Sequence, residues 1–299
     1  MGIYNQCAER IVNNYFTLNT DVLIICDKPH INIANTIKAV YENNERSINC
    51  FIIDTKENTN EAFNQCLKCN VETFVFVEPN SFSKFKISQW LNFSYGAPKI
   101  ANLNTISYVS VLPVESTYRV YSSNHLEDKG TKSFLLSSLK ADTNYKVTTI
   151  NGTALYFTSR NWIDHGNEVL TAPVEESING VIAVDGALFF QSINTKIDFY
   201  IKSGKLEKIE VRDIKDNSLV ELYNHLTNND FKTEKNKQVA EVGIGCNTKA
   251  IICDCFMESE MVFGTCHFCF GNNDCYGGKN KSDFHGASVL IKEPQFQEC

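Results

Sequence analysis

No stretch of this 299-residue chain approaches the roughly 18 consecutive apolar residues that a membrane-spanning helix needs, so a helical membrane protein is not expected. An excess of positive charge is also missing. Against 35 Asp and Glu stand 28 Lys and Arg, a formal net charge of -7, so nothing sequence-wide attracts phosphate backbones or anionic lipid. Neither nucleic acid nor a membrane surface is expected as a partner. The opening residues, Met1-Gly-Ile-Tyr-Asn-Gln-Cys7, contain no basic region followed by an apolar stretch, and a cytoplasmic protein is expected. Twelve cysteines in a chain this long read as reduced thiols, because disulfide scaffolds are short and poor in core.

Nucleotide motifs are lacking too. After the first apolar run stands Cys26-Asp-Lys-Pro-His30 rather than a Gly-x-Gly-x-x-Gly turn, which removes the support for a dinucleotide site. Gly271-Asn-Asn-Asp-Cys-Tyr-Gly-Gly-Lys-Asn280 contains Gly-Lys without phosphate-loop spacing. It reads instead as a flexible loop walling a site, with Tyr276 and Lys279 on it.

The length favours two domains. In the first part, Asp21–Cys26, Asn49–Asp54 and Thr73–Val77 are nearly continuous apolar runs, the pattern of parallel strands buried on both faces. Between them, Ile31–Asn43 and Asn58–Cys69 have helical spacing. This is a βαβ succession and predicts an α/β domain with a parallel sheet over residues 1–140. From about Tyr145 the texture changes to short strands and glycine turns, with Asn151-Gly152 as a hairpin signal. Ser218–Thr227 reads as a helix, and residues 141–299 are expected to form an α+β domain.

The candidate chemistry lies in that second domain. Strand alternation in Val239–Gly245 puts Glu241 on a face shared with Gly243 and Gly245, with room above it for a ligand. The same alternation in Gly264–Gly271 puts Thr265, His267 and Cys269 on one face and Cys266, Phe268 and Phe270 on the other. Cys266 and Cys269 therefore point apart, which argues against a zinc ribbon, and Cys66-x-x-Cys69 looks like one helical turn. Glu168 and His285 stand in similar short segments marked by nearby glycine. Two carboxylates and two imidazoles suit zinc, cobalt or ferrous iron. His30, His125 and His225 show no partner pattern, and His165 is of interest only because it lies three residues before Glu168.

Taken in order, Glu168-Val-Leu-Thr-Ala-Pro-Val-Glu175, Asn179-Gly-Val-Ile-Ala-Val-Asp-Gly186, Ala240-Glu-Val-Gly-Ile-Gly-Cys-Asn247, Gly264-Thr-Cys-His-Phe-Cys-Phe-Gly271, Gly277-Gly278 and Ser282-Asp-Phe-His285 resemble the thermophilic aminopeptidase family, the leucyl aminopeptidase-like enzymes that include aminopeptidase T. The resemblance runs from about Gly166 to Ile291. It implies a metallopeptidase fold with paired divalent ions, usually dimeric, and a relative that is an iron-dependent ring-cleaving dioxygenase of dihydroxypyridine. Matched by motif, Glu168, Glu241, His267 and His285 are the implied metal ligands, and Tyr276 stands loosely where the family has a tyrosine ligand.

The family's last motif is His-x-Asp, and here it reads His285-Gly286-Ala287. Alanine cannot bind metal, so one ion rather than two is expected, of zinc, cobalt or iron. The reading that follows is a divergent metal-dependent hydrolase acting on a peptide or small amide, in a biosynthetic or peptide-tailoring role. Glu168 and Tyr276 are the expected catalytic groups and a homodimer the expected assembly. The rivals are a catalytically silent peptide or small-molecule binding protein and a mononuclear iron redox enzyme using Glu241, His267 and His285.

Overall fold

The computed structural model describes residues 3–15, 21–42, 48–68, 71–85, 87, 91–94, 97–100, 106–123, 125–188, 191–193, 196–211 and 217–299. Its two compact units are Met1–Ser123 and Asn124–Cys299. The helix His125–Ser138, expected within the N-terminal domain of residues 1–140, groups with the second unit, where it packs on the strands Ile163–Asp164 and Glu168–Thr171.

In the first unit the expected apolar runs become the parallel strands Val22–Asp27, Ile48–Ile53 and Glu72–Val77, joined by Ile106–Val111 at one edge. Helices Ile31–Glu42 and Lys56–Lys68 form the crossovers. Every residue of Val22–Asp27 is buried, as expected of a central strand covered on both faces. Leu23, Ile25, Phe63, Val75 and Val77 share one core cluster.

The sheet order puts Ile48–Ile53 and Glu72–Val77 on opposite sides of Val22–Asp27. The carboxyl ends of the first and third strands are thus a topological switch point, where open α/β sheets commonly take ligands. Here that point is filled by the chain itself. Buried Asp27 accepts from His30 Nδ1 at 2.7 Å and from the Glu78 backbone N–H at 2.8 Å, and His30 Nε2 lies 3.1 Å from Thr117 Oγ1. Burial pushes the Asp27 pKa up, but these hydrogen bonds outweigh it and hold the carboxyl below its ordinary value. His30, without a visible partner in the sequence, is therefore one of a buried pair.

The second unit contains two antiparallel sheets. One has six strands, including the hairpin Asn144–Thr148 and Ala154–Thr158, whose turn places Gly152 at φ 109°, a conformation that favours glycine. The other has seven, in the spatial order 191–192, 187–188, 285–292, 265–271, 239–245, 168–171 and 163–164. Val147, Phe157, Ile182 and Phe199 from the first sheet and Val242, Phe268, Phe270 and Val289 from the second lie in one core cluster. The other face of the seven-stranded sheet is thereby left for the polar residues that alternate with them. No helix among the described residues is long and apolar enough to cross a membrane.

Candidate metal centre

Three adjacent strands build the centre. Glu168 opens Glu168–Thr171, Glu241 lies in Val239–Gly245, and His267 lies in Thr265–Gly271, with His285 at the start of the neighbouring strand His285–Lys292. The cross-strand register sets Glu168 opposite Gly245, His267 opposite Gly243, Cys269 opposite Glu241 and His285 opposite Gly271. All four polar candidates therefore share the face turned away from the Val242–Phe268 core.

Gly243 is the hinge of this geometry. The strands that carry Glu168 and His267 both flank the Glu241 strand, so their backbones stand roughly 9.6 Å apart at the usual spacing. A Cβ at Gly243 would collide with the His267 ring at Cε1 and Nε2. Because that atom is missing, the imidazole lies across the middle strand, its Nε2 3.0 Å from Glu241 Oε1 and 3.4 Å from Glu168 Oε2. On the other side His285 Nε2 is 3.3 Å from Glu241 Oε2. His285 donates its Nδ1–H to the Asn272 carbonyl at 2.7 Å, which leaves Nε2 as the nitrogen with a lone pair toward the carboxylate.

Two residues join that the sequence reading had not placed there. His165 donates from Nδ1 to Glu168 Oε1 at 2.7 Å while keeping 30% of its side chain exposed. Glu260, just past the short helix Phe256–Ser259, is buried, and one carboxylate oxygen of it lies within 4.8 Å of ligand atoms of both Glu168 and His267. Burial first, then the charges of Glu168 and Glu241, raise the Glu260 pKa well above the carboxylate range. At Glu241 burial also pushes upward, but hydrogen bonds from His267 and His285 outweigh it and the net shift is down. Burial lowers the His267 pKa, and its hydrogen bond to Glu241 with the charges of Glu168 and Glu241 outweighs that effect, so the pKa is raised. The cluster is rich in carboxylate, with Glu168, Glu241 and Glu260 around His267.

Tyr276 sits in the turn Asp274–Tyr276 with its ring 6.4 Å from His165 and 6.2 Å from His285. Burial, and after it the negative charge of Glu241, raises its pKa. The loop carrying it, expected to wall a site, is tied down by hydrogen bonds. Asn273 is fully buried and receives N–H groups from Gly278 and Asn280, while Glu175 accepts from the Lys279 backbone at 2.5 Å and is itself paired with Arg160. Of the two expected wall residues, Lys279 stays exposed and Tyr276 is buried.

Ala287 lies on the strand His285–Lys292, but its side chain is outside the described residues. The backbone register there is irregular. Phe268 pairs with Val289 and Phe270 with Gly286, so residues 287 and 288 both stand opposite Cys269, a bulge. Strict two-residue alternation from His285 therefore stops at 287, and Val289 belongs to the core. His225 is distant in role, an exposed helix-end residue near Asp230. Cys66 lies in the helix Lys56–Lys68, whereas Cys69 is outside the described residues.

These residues fit a divalent ion. Among the described residues, the buried atoms His267 Nδ1 and Glu168 Oε2 have no hydrogen-bond partner, a condition that is costly unless a further group satisfies them. Two sets, Glu168 with Glu260 and His267, and Glu241 with His267 and Cys269, each bring ligand atoms within 4.8 Å of one another.

No family model and no curated protein matches the sequence. Solved structures do match the fold. The chain is similar to 2,5-dihydroxypyridine dioxygenase from Pseudomonas putida KT2440, at a TM-score of 0.66 and 12% identity, covering 99% of this chain and 93% of that one. It is also similar to AmpT from Thermus thermophilus, at a TM-score of 0.62 and 11% identity, covering 99% and 94%. At such identities the likeness is one of fold.

Proposed function

We propose that the chain is a metal-dependent hydrolase of the aminopeptidase type, acting on a peptide or small amide. The observation that carries this reading is the cluster of Glu168, Glu241, His267 and His285 on one sheet face with Glu260 beside Glu168 and His267, three of whose members are carboxylates and all of which are at most 12% exposed in their side chains or buried outright. That many acidic groups packed together are unfavourable without a cation. A divalent ion held there supplies polarisation of an amide carbonyl and a bound water of lowered pKa.

The chain's own residues account for the remaining needs of hydrolysis. Glu168 is the group placed to take a proton from the attacking water, because among the described residues Oε2 has no hydrogen-bond partner while Oε1 is anchored by His165. His165, part exposed, connects that carboxylate to solvent and can return the proton to the leaving amine. Tyr276 keeps its proton, its pKa being raised, and is available to donate to the oxygen that gains charge as the carbonyl is attacked. The Asn272 carbonyl fixes the tautomer of His285 and so orients one ligand. A cytoplasmic homodimer with a peptide or small-molecule substrate belongs to the same proposal.

A mononuclear iron redox role is the second reading. Its support is that Glu241 contacts both His267 and His285, one through each oxygen, a two-histidine, one-carboxylate set. Hydrolysis of an aminoacyl amide by the zinc- or cobalt-loaded protein tests the first reading. Turnover that Glu241→Ala abolishes while the fold persists is the expected result. Amide inertness combined with oxygen uptake by the iron-loaded protein would replace it with the second.

A further inference from the structure

Cys269 sits where neither the hydrolase reading nor the redox reading uses it. Its Cα pairs directly with that of Glu241 across the two central strands, which sets the two side chains about 5 Å apart at Cβ on the same face. One ligand atom from each of Glu241, His267 and Cys269 lies within 4.8 Å of the other two, and all three residues are buried. The neighbouring Cys266 shows what a merely space-filling thiol looks like in this strand. It belongs to the apolar core cluster with Phe268 and Val289, whereas Cys269 does not. On its other flank the bulged strand sets two residues, 287 and 288, against this single cysteine, and bulges re-aim side chains next to functional sites. Within the same cluster the buried His267 Nδ1 and Glu168 Oε2 have no hydrogen-bond partner among the described residues.

We propose that Cys269 is a thiolate ligand of the ion held by Glu241 and His267, so that the centre carries one sulfur donor and takes thiophilic divalent ions, zinc, cobalt or ferrous iron, in preference to magnesium, calcium or manganese. The proposal rests on the metal-centre reading above. Zinc–sulfur bonds of about 2.3 Å and zinc–nitrogen or zinc–oxygen bonds of about 2.0 to 2.2 Å put neighbouring ligand atoms roughly 3.5 Å apart. A movement of roughly 1 Å by side chains already on one face closes the present spacing to that value. On ligation the S–H bond is given up, its proton passes to the buffer, the sulfur lone pair enters the metal bond, and no electron changes hands. The sulfur donor also supplies negative charge beside residue 287, where the strand carries Ala287 and no carboxylate.

Cobalt(II) added to the metal-free full-length protein tests this, because a thiolate bound to cobalt adds a near-ultraviolet charge-transfer band to the visible bands of any bound cobalt. The expected result is both sets of bands in the wild type, with loss of the charge-transfer band and retention of the visible bands in Cys269→Ser and Cys269→Ala. Cys275→Ala, which removes an exposed thiol, retains both. Visible bands without a charge-transfer band in the wild type would overturn the sulfur ligand and leave the metal centre standing, whatever the variants do. A charge-transfer band undiminished in both Cys269 variants would assign it to another thiol and overturn the proposal. No cobalt bound at all would overturn the proposal together with the reading it rests on.

Discussion

Gly243→Ala isolates the one contact by which a sheet of ordinary strands becomes a ligand cluster. The added methyl projects into the His267 ring at the Cε1–Nε2 edge, the edge that faces Glu241 and Glu168. The ring has no exposed surface and cannot swing to solvent, so either the imidazole tilts off the middle strand or the two strands part. Overpacking of this kind costs about 1 to 3 kcal/mol of stability. Misorienting a ligand by changing what supports it lowers metal affinity about 10- to 100-fold, or roughly 1.4 to 2.8 kcal/mol. The assay is competition of the protein with a chromophoric chelator for zinc, alongside thermal unfolding of the metal-free form. Gly130→Ala is the control, since it lies in the helix His125–Ser138 with nothing within 4 Å of the new methyl, and it is expected to leave affinity within about twofold. Unchanged zinc affinity in a folded Gly243→Ala protein would refute the reasoning, because it would mean that His267 need not lie across the strand to bind.

Three further outcomes are expected. Gly130→Ala, in the helix His125–Ser138 with nothing within 4 Å of the new methyl, is expected to stabilise the protein by about 0.5 to 1 kcal/mol, raising its unfolding midpoint in urea; a lowered midpoint would contradict the open space seen there. Because the Asp27 pKa is lowered in the fold by the hydrogen bonds its carboxylate accepts, those bonds contribute stability above the unfolded-state pKa, about 3.9, that is lost as the pH falls through the folded value. Asp27→Asn is therefore expected to flatten the acid limb of urea midpoints measured from pH 5 downward, and an acid limb of unchanged slope would remove Asp27 as its cause. Ala287→Asp adds a carboxylate to the bulge opposite Cys269 and is expected to increase the zinc bound per chain under fixed supply, whereas no gain would show that the pocket has diverged beyond this position.

What was legible in the sequence follows from periodicity. Runs such as Val22–Asp27 and Glu72–Val77 are apolar on both faces, so their burial in a parallel sheet could be read directly. Alternation likewise separated Cys266 and Phe268 from His267 and Cys269, because each residue of a regular strand has only two directions to face. Glu260 was not legible. It lies in an irregular segment after a helix of one turn, where no period predicts which way a side chain points, and nothing local distinguishes it from the chain's other acids. At His30 one partner, Asp27, stands only three residues away, but the pairing depends on how the chain turns after the strand, and the other, Thr117, stands 87 residues away and meets it only through the topology of the sheet. The loop 271–280 is legible as a site wall, with Tyr276 beside His165 and His285, but composition does not show that buried Asn273 organises it through hydrogen bonds. Alternation also failed beyond residue 287, because a bulge adds one residue that pattern counting cannot see.

The measurement that bears most directly on the centre is the metal content of the full-length protein purified without oxygen and without chelators, compared with that of Glu241→Ala and His285→Ala. One equivalent of zinc, cobalt or iron in the wild type, lost in both variants while their unfolding remains cooperative, is the predicted result. A wild type that retains no ion above the level of the two variants, even after incubation with each metal, would contradict the account.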